Sequence, residues 1–339
     1  MAVLPRRDAL TGTAYGVAAI VILLGIGYAN GQKAMPQLAS VTAPVSLTVN
    51  DPVRRMAQDW NTVTKLEDGL RLPVITDKGL RAFDIYHRPP NTTPLLAGET
   101  AKPTVAFMVL GLGFDRNASQ LALASLPAET GIGLSPSAPY RTDILSTIRN
   151  EGRELWVHAP STSLNPSVDE GDQAMRINVP ATLNTARLQQ ALGSLSHYVG
   201  VVLSPDSEVS SSMEDMEPVI SELGQRGLGF ARLAASPSLM LNMNAVKDHV
   251  PFIPSATLLS DVPLAGSVQQ RLNTMLQIAR DSGYALGVID EPNPVVIKEI
   301  GNWLAEHQNR DVTLVPPSAL TTATPAPAPV ATLGEPPAL

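Results

Sequence analysis

"VAFMVLGLGFD", residues Val105 to Asp115, decides how the rest of the chain is read. Six apolar residues in a row, without polar alternation, describe a strand buried on both faces, as in a parallel sheet. Gly111 and Gly113 then allow a sharp turn, and Asp115 or Asn117 is placed to cap a following helix. A strand, a glycine turn and a helix put a ligand site at the carboxyl end of the strand in α/β proteins. The turn is not a nucleotide cradle. The third glycine of Gly-x-Gly-x-x-Gly is replaced by Arg116, and no Gly-Lys-Ser/Thr is present.

The pattern continues outward from this stretch. Further strands are predicted over Gly131–Leu134, Leu155–His158, Val199–Leu203, Gly229–Ala231, Tyr284–Ile289 and Val312–Val315, with a weaker one over Pro251–Ile253. Helical spacing falls near Asn117–Leu126, Arg141–Glu151, Asn184–Ser196, Ser212–Arg226, Val268–Ser282 and Pro294–Gln308. Seven or eight strand–helix units imply parallel strands joined by right-handed crossovers. An open doubly wound sheet and a closed or nearly closed barrel both satisfy this. In either case the chemistry lies at the carboxyl ends of the strands.

Composition narrows the partners. The 339 residues carry a net charge of −7 and only 4% aromatics, which disfavours a phosphate backbone and a base-stacking platform, so no nucleic-acid partner is expected. Cysteine is absent, which removes thiolate catalysis, disulfides and cysteine-bound metals together. Arg6 and Arg7 precede the uncharged stretch Ala9 to Gln32, whose length suits a single membrane span with the body exported. A cleaved signal peptide is the alternative. The expected organisation is a membrane anchor or signal segment over 1–32, a linker and strap over 33–102, an α/β domain over 103–320, and a disordered Pro/Ala-rich tail over 321–339.

The predicted strand ends carry the candidate site residues: His158 after the third strand, Asp206 after the fourth, Arg232 after the fifth, and Asp290 and Glu291 after the last long one. Paired carboxylates at one cleft suit acid–base work, and Asp206, Asp290 and Glu291 are placed to converge. The five histidines (His87, His158, His197, His249 and His307) show no i,i+3 to i,i+5 pair, so no single element holds a cation with two imidazoles. "GLSPS" from Gly133 lacks the second glycine of a serine-hydrolase elbow.

Six segments in order, "VAFMVLGLG", "LSPSAP", "ELWVHAPSTS", "YVGVVLSPDSE", "ELGQRGLGFARL" and "VTLVPPSAL", resemble the divergent polysaccharide deacetylases over about Lys102 to Leu320. That resemblance implies an α/β fold of the polysaccharide-deacetylase type, a distorted, seven-stranded (β/α) barrel. It also implies an ancestral metal-dependent removal of acetyl groups from N-acetylated sugars. The sequence departs from the family at the metal. Leu110 and Gly111 stand where metal-binding members carry two aspartates. Leu203 and Ser204 replace an asparagine–histidine pair, and Gly287 and Val288 a glycine–histidine. Only His158 and Pro160 keep the histidine–x–proline element. The expectation is therefore an exported, degenerate member, anchored in the inner membrane with its barrel in the periplasm. It would hold no metal or other cofactor, be catalytically silent, and bind an envelope glycan or an envelope protein. The alternatives are a hydrolase with a site rebuilt from His158, Asp206, Arg232, Asp290 and Glu291, and a structural partner in an envelope complex.

Overall fold

Residues 51–91, 101–168 and 170–321 are described by the structure, a computed structural model. The predicted anchor over 1–32 and most of the tail beyond 321 lie outside them. Among the described residues no helix is long and apolar enough to cross a membrane.

The stretch that opened the sequence forms β1 (Thr104–Val109), and Val105 to Leu110 are wholly buried. The chain then alternates through α1 (Arg116–Ser125), β2 (Gly131–Leu134), α2 (Arg141–Glu151), β3 (Leu155–His158), α3 (Ala181–Gly193) and β4 (Gly200–Val202). It continues through α4 (Met213–Arg226), β5 (Gly229–Ala231), α5 (Leu239–Lys247), β6 (Phe252–Ile253), β7 (Thr257–Leu258), α6 (Ala265–Ser282), β8 (Tyr284–Ile289), α7 (Pro294–His307) and β9 (Thr313–Leu314). All of these strands pair in parallel, in the order β6-β5-β4-β3-β2-β1-β8-β7, with β9 also on β1.

That order sets the shape. β6 and β7 are the two edges of the sheet, yet only residues 254–256 separate them. Four Cα steps reach at most ~14 Å, so the sheet must curl until its edges face each other. The result is an incomplete parallel barrel with helices outside. With β6 and β7 taken as halves of one broken strand, the ring has seven positions. β1 shares one edge between two partners: β9 pairs at Thr104 and Val105, and β2 at Met108 and Val109. The ring is tight at Gly200. A side chain there would run into the Gly229 carbonyl and lie 2.7 Å from the Trp156 ring, so β4 and β5 can approach only without a Cβ.

Several of the helices start on a side-chain cap. Asp115 accepts from Ala118 N at 2.7 Å at the start of α1, and Ser212 caps α4, whose first turn holds Glu214 and Asp215. Asp115→Ala is expected to lower stability by about 1 kcal/mol, read as a shift in thermal unfolding with the fold unchanged.

Residues 52–91 close one end of the barrel. They comprise the helix Pro52–Met56, a hairpin of Thr64–Glu67 with Leu70–Pro73, and the helix Ala82–Tyr86. Trp60 packs against Tyr86 and Tyr198, with ring centroids 5.3 and 4.9 Å apart, and stacks on His197. Phe83 N donates to Gly227 O, and the Arg88 guanidinium donates to the carbonyls of Glu151 and Gly152. Apart from Tyr86, which belongs to the strap itself, these partners lie just before β3, β4 or β5, at their amino ends. This strap floors the barrel and leaves the carboxyl ends as its mouth.

Candidate functional site

The mouth is assembled from the loops that leave the strands. After β3, residues 159–164 run beside residues 204–208, which follow β4. Thr162 Oγ1 donates to Glu208 at 2.7 Å, Ser161 Oγ to Ser207 Oγ at 2.7 Å, and Leu164 N to Asp206 O at 2.8 Å. Ser163 donates to the Asp206 carboxylate. Residues 174–175 back this rim, with Met175 N donating to Pro160 O and Thr162 N to Met175 O. Asp206 is thus held from both its backbone and its side chain.

Opposite it, β8 delivers Asp290 and Glu291. Asp290 N donates to Ser260 Oγ at 2.8 Å, tying this loop to the one after β7. Asp206, Ser260, Asp261, Asp290, Glu291 and Asn293 line a cleft of about 360 Å³, with Pro205, Leu258 and Pro263 as its apolar wall. Burial, reinforced by the charges of Asp206, Glu291 and Glu170, pushes the Asp290 carboxyl up to about 6. At neutral pH the cleft is strongly anionic.

His158 sits at the end of β3 with Nε2 2.8 Å from Ser204 Oγ. Burial lowers its pKa to about 4 against the opposing pull of Asp206, so the ring is neutral at pH 7. The sequence-predicted residues therefore divide. Asp206, Asp290 and Glu291 share one cleft, and His158 stands close enough to Asp206 to feel its charge. Arg232 is not part of the cleft lining: its guanidinium donates to Ser236 O, and its Nε is buried without a partner. Sequence reasoning missed Ser260 and Asp261, because it did not find the short strand β7 that presents them.

Beside the cleft, the positions that would carry metal donors hold hydrocarbon. Leu110, which continues β1 and donates its N–H to Ile289 O at 2.8 Å, is wholly buried. Its side chain occupies the space over Gly133, where any added Cβ would collide with it. Leu203 and Val288 are buried as well. Gly111 has φ +70°, and a Cβ there would lie 3.0 Å from Asp290 O. Position 111 thus lacks a carboxylate and resists one, since an L-residue in that conformation is strained. The donors that a divalent cation needs are absent from these positions. Among the described residues no group of three or more His, Asp or Glu is arranged to hold a metal ion. The residues present do not fit the metal that the resemblance implies.

A parallel α/β barrel floored by an N-terminal strap, with an acidic cleft at the carboxyl ends of its strands, defines the class of protein. A family model described as divergent polysaccharide deacetylase matches residues 108–321, more than half of the chain, and the chain belongs to that family. "Uncharacterized protein YibQ" of Escherichia coli (strain K12) is 20% identical over 229 residues, 68% of this chain and 69% of that one. An "Uncharacterized protein" of Haemophilus influenzae is 19% identical over 202 residues, 59% of this chain and 71% of its own length. The crystal structure of uncharacterized protein ATU2773 from Agrobacterium tumefaciens C58 superimposes with a TM-score of 0.64 at 28% identity, over 74% of this chain and 99% of that one.

Proposed function

We propose that this chain is a glycan-binding member of its family that holds saccharide at the barrel mouth without deacetylating it, and that it is exported and tethered to the inner membrane by its N-terminal segment. The observation that carries the reading is Leu110 seated over Gly133, an apolar plug where the deacetylase chemistry would need a carboxylate. Around the plug, the acidic cleft offers carboxylate, hydroxyl and amide groups, which suit sugar hydroxyls and repel anionic polymers. Calorimetric titration of the purified full chain with an N-acetylglucosamine hexamer tests it. Binding should be unchanged by chelator and at least tenfold weaker in the Asp206→Asn, Asp290→Asn double variant. Binding that disappears with chelator contradicts the reading.

One observation favours a second reading. Asp290, with its pKa near 6, beside Asp206 forms a pair in which one carboxyl can donate a proton while the other accepts. A hydrolase rebuilt on this pair would show a pH–rate limb near 6 that Asp290→Asn abolishes.

A further inference from the structure

α5 is apolar on both of its faces. Leu241 and Ala245 turn inward and are buried. Leu239, Met240, Met243 and Val246 are nevertheless 73, 56, 58 and 53% exposed. Their spacing, i, i+1, i+4 and i+7, puts the four on one outward stripe. Scattered exposed hydrophobes need no explanation, but a contiguous stripe of large ones marks a contact surface. The segment that carries it, "RLAASPSLMLNMNAVK" from Arg232 to Lys247, holds no acidic residue, although the chain has 31. Lys247 closes the same face and reaches Glu217 of α4 at 3.6 Å.

We infer that this stripe docks on the membrane surface with lipid as its occupant, an inference that rests on the N-terminal tether proposed above. Area argues against a second protein. Four side chains on a nine-residue helix cannot cover the ~800 Å² per partner of a stable interface. A tethered body needs far less. Residues 33–50 span at most ~60 Å when extended, so the stripe meets the bilayer at the millimolar effective concentration that a short linker gives. Charge points the same way. A body of net charge −7 is repelled by anionic headgroups, and an apolar stripe without carboxylates, closed by a lysine, avoids that repulsion.

The placement of α5 agrees with a site that must stay open. The helix starts beyond the carboxyl end of β5 and ends beside the strap, where Arg81 Nη1 donates to His249 O at 3.5 Å. The stripe therefore runs along the flank of the barrel. Docking through it lays the barrel beside the bilayer and leaves the mouth facing solvent, where a saccharide can enter.

The chain has no cysteine, so Met243→Cys provides one site for an environment-sensitive nitrobenzoxadiazole label. The full chain is reconstituted into phosphatidylcholine–phosphatidylglycerol vesicles with and without spin-labelled lipid. Emission at position 243 should be blue-shifted and reduced by about half by the spin-labelled lipid, because an interfacial helix sinks ~5–10 Å into the headgroup–acyl boundary. The same label at Leu121→Cys, exposed on α1 across the ring, should not be quenched. Adding Leu239→Ser and Met240→Ser should abolish quenching at position 243 with unfolding temperature retained, since both side chains are exposed. Emission that the spin-labelled lipid leaves unchanged overturns the inference. A blue shift without quenching does so too: one that grows with protein density assigns the stripe to a second copy, and one independent of density assigns it to another segment of this chain. Carbonate extraction of the same vesicles separates the two readings. Protein that stays with the lipid but is unquenched at position 243 keeps the tether and loses the dock; protein that is stripped off removes the tether and the dock with it.

Discussion

Glu154→Ala is expected to destabilise the protein by about 4 kcal/mol, a larger loss than any cap or cleft substitution should cause. Glu154 immediately precedes β3 and is 1% exposed. Its carboxylate accepts from Arg88 N at 2.9 Å, from Ser318 N at 3.0 Å, from the Ser318 hydroxyl and, at 3.4 Å, from Trp156 Nε1. Those donors come from the strap, the last turn before residue 321 and the barrel itself, so one side chain joins three parts of the chain. Burial raises its pKa, and the hydrogen bonds from Ser318, Arg88 and Trp156 pull it back. Alanine would leave these buried donors unpaired. Glutamine keeps one acceptor oxygen and sheds the buried charge, so Glu154→Gln should lose about half as much. Because the folded pKa is raised, ionised Glu154 opposes folding as pH climbs, and the glutamine variant should fall less than wild type toward alkaline pH. Urea unfolding midpoints at two pH values measure both effects. Equal stability of wild type and Glu154→Ala would remove the latch.

Asp290→Asn acts in the opposite direction. The Asp290 carboxyl is raised from its ordinary 3.8 to about 6, by burial first and by Asp206, Glu291 and Glu170 after it. A carboxyl with a raised folded pKa favours folding most when protonated. Its contribution is whole below pH ~4 and is lost as pH rises through about 6. A carboxyl displaced that far costs the folded state about 3 kcal/mol at most once ionised, and sharing among the clustered carboxylates reduces this. The asparagine variant is therefore expected to be about 2 kcal/mol more stable than wild type at pH 7.5 and no more stable at pH 4. Thermal or urea unfolding across that range checks it. A gain of that size would mean that the mouth carries electrostatic repulsion in order to keep an anionic cleft, a common sign of a functional site.

Much of the barrel was legible because its strands are buried on both faces. Uninterrupted apolar runs such as Val105–Val109 and Tyr284–Ile289, set between segments of helical spacing, leave few other readings, and α2 runs over the predicted Arg141–Glu151. The run from Phe252 to Leu258 was half missed. Pro254 interrupts it, and two-residue pairings at either end are too short for periodicity to reveal. α5 also escaped, because "LMLNMNAV" has apolar residues on more than one face: Leu241 and Ala245 are buried, while Leu239, Met240 and Met243 are exposed. At the site, convergence of Asp206, Asp290 and Glu291 could be read from their places at strand ends. The direction of Arg232 could not, since it depends on a hydrogen bond to Ser236 made within its own loop. Nor could Glu154 be singled out: its role comes from Arg88 and Ser318, which are distant in sequence.

The absence of deacetylation at the mouth is the claim on which the functional account turns. Its most direct test is acetate release from an N-acetylglucosamine hexamer by the full chain with added zinc, and again with chelator. The account predicts no release above buffer in either condition while the hexamer is bound. Zinc-stimulated release that chelator abolishes would contradict it.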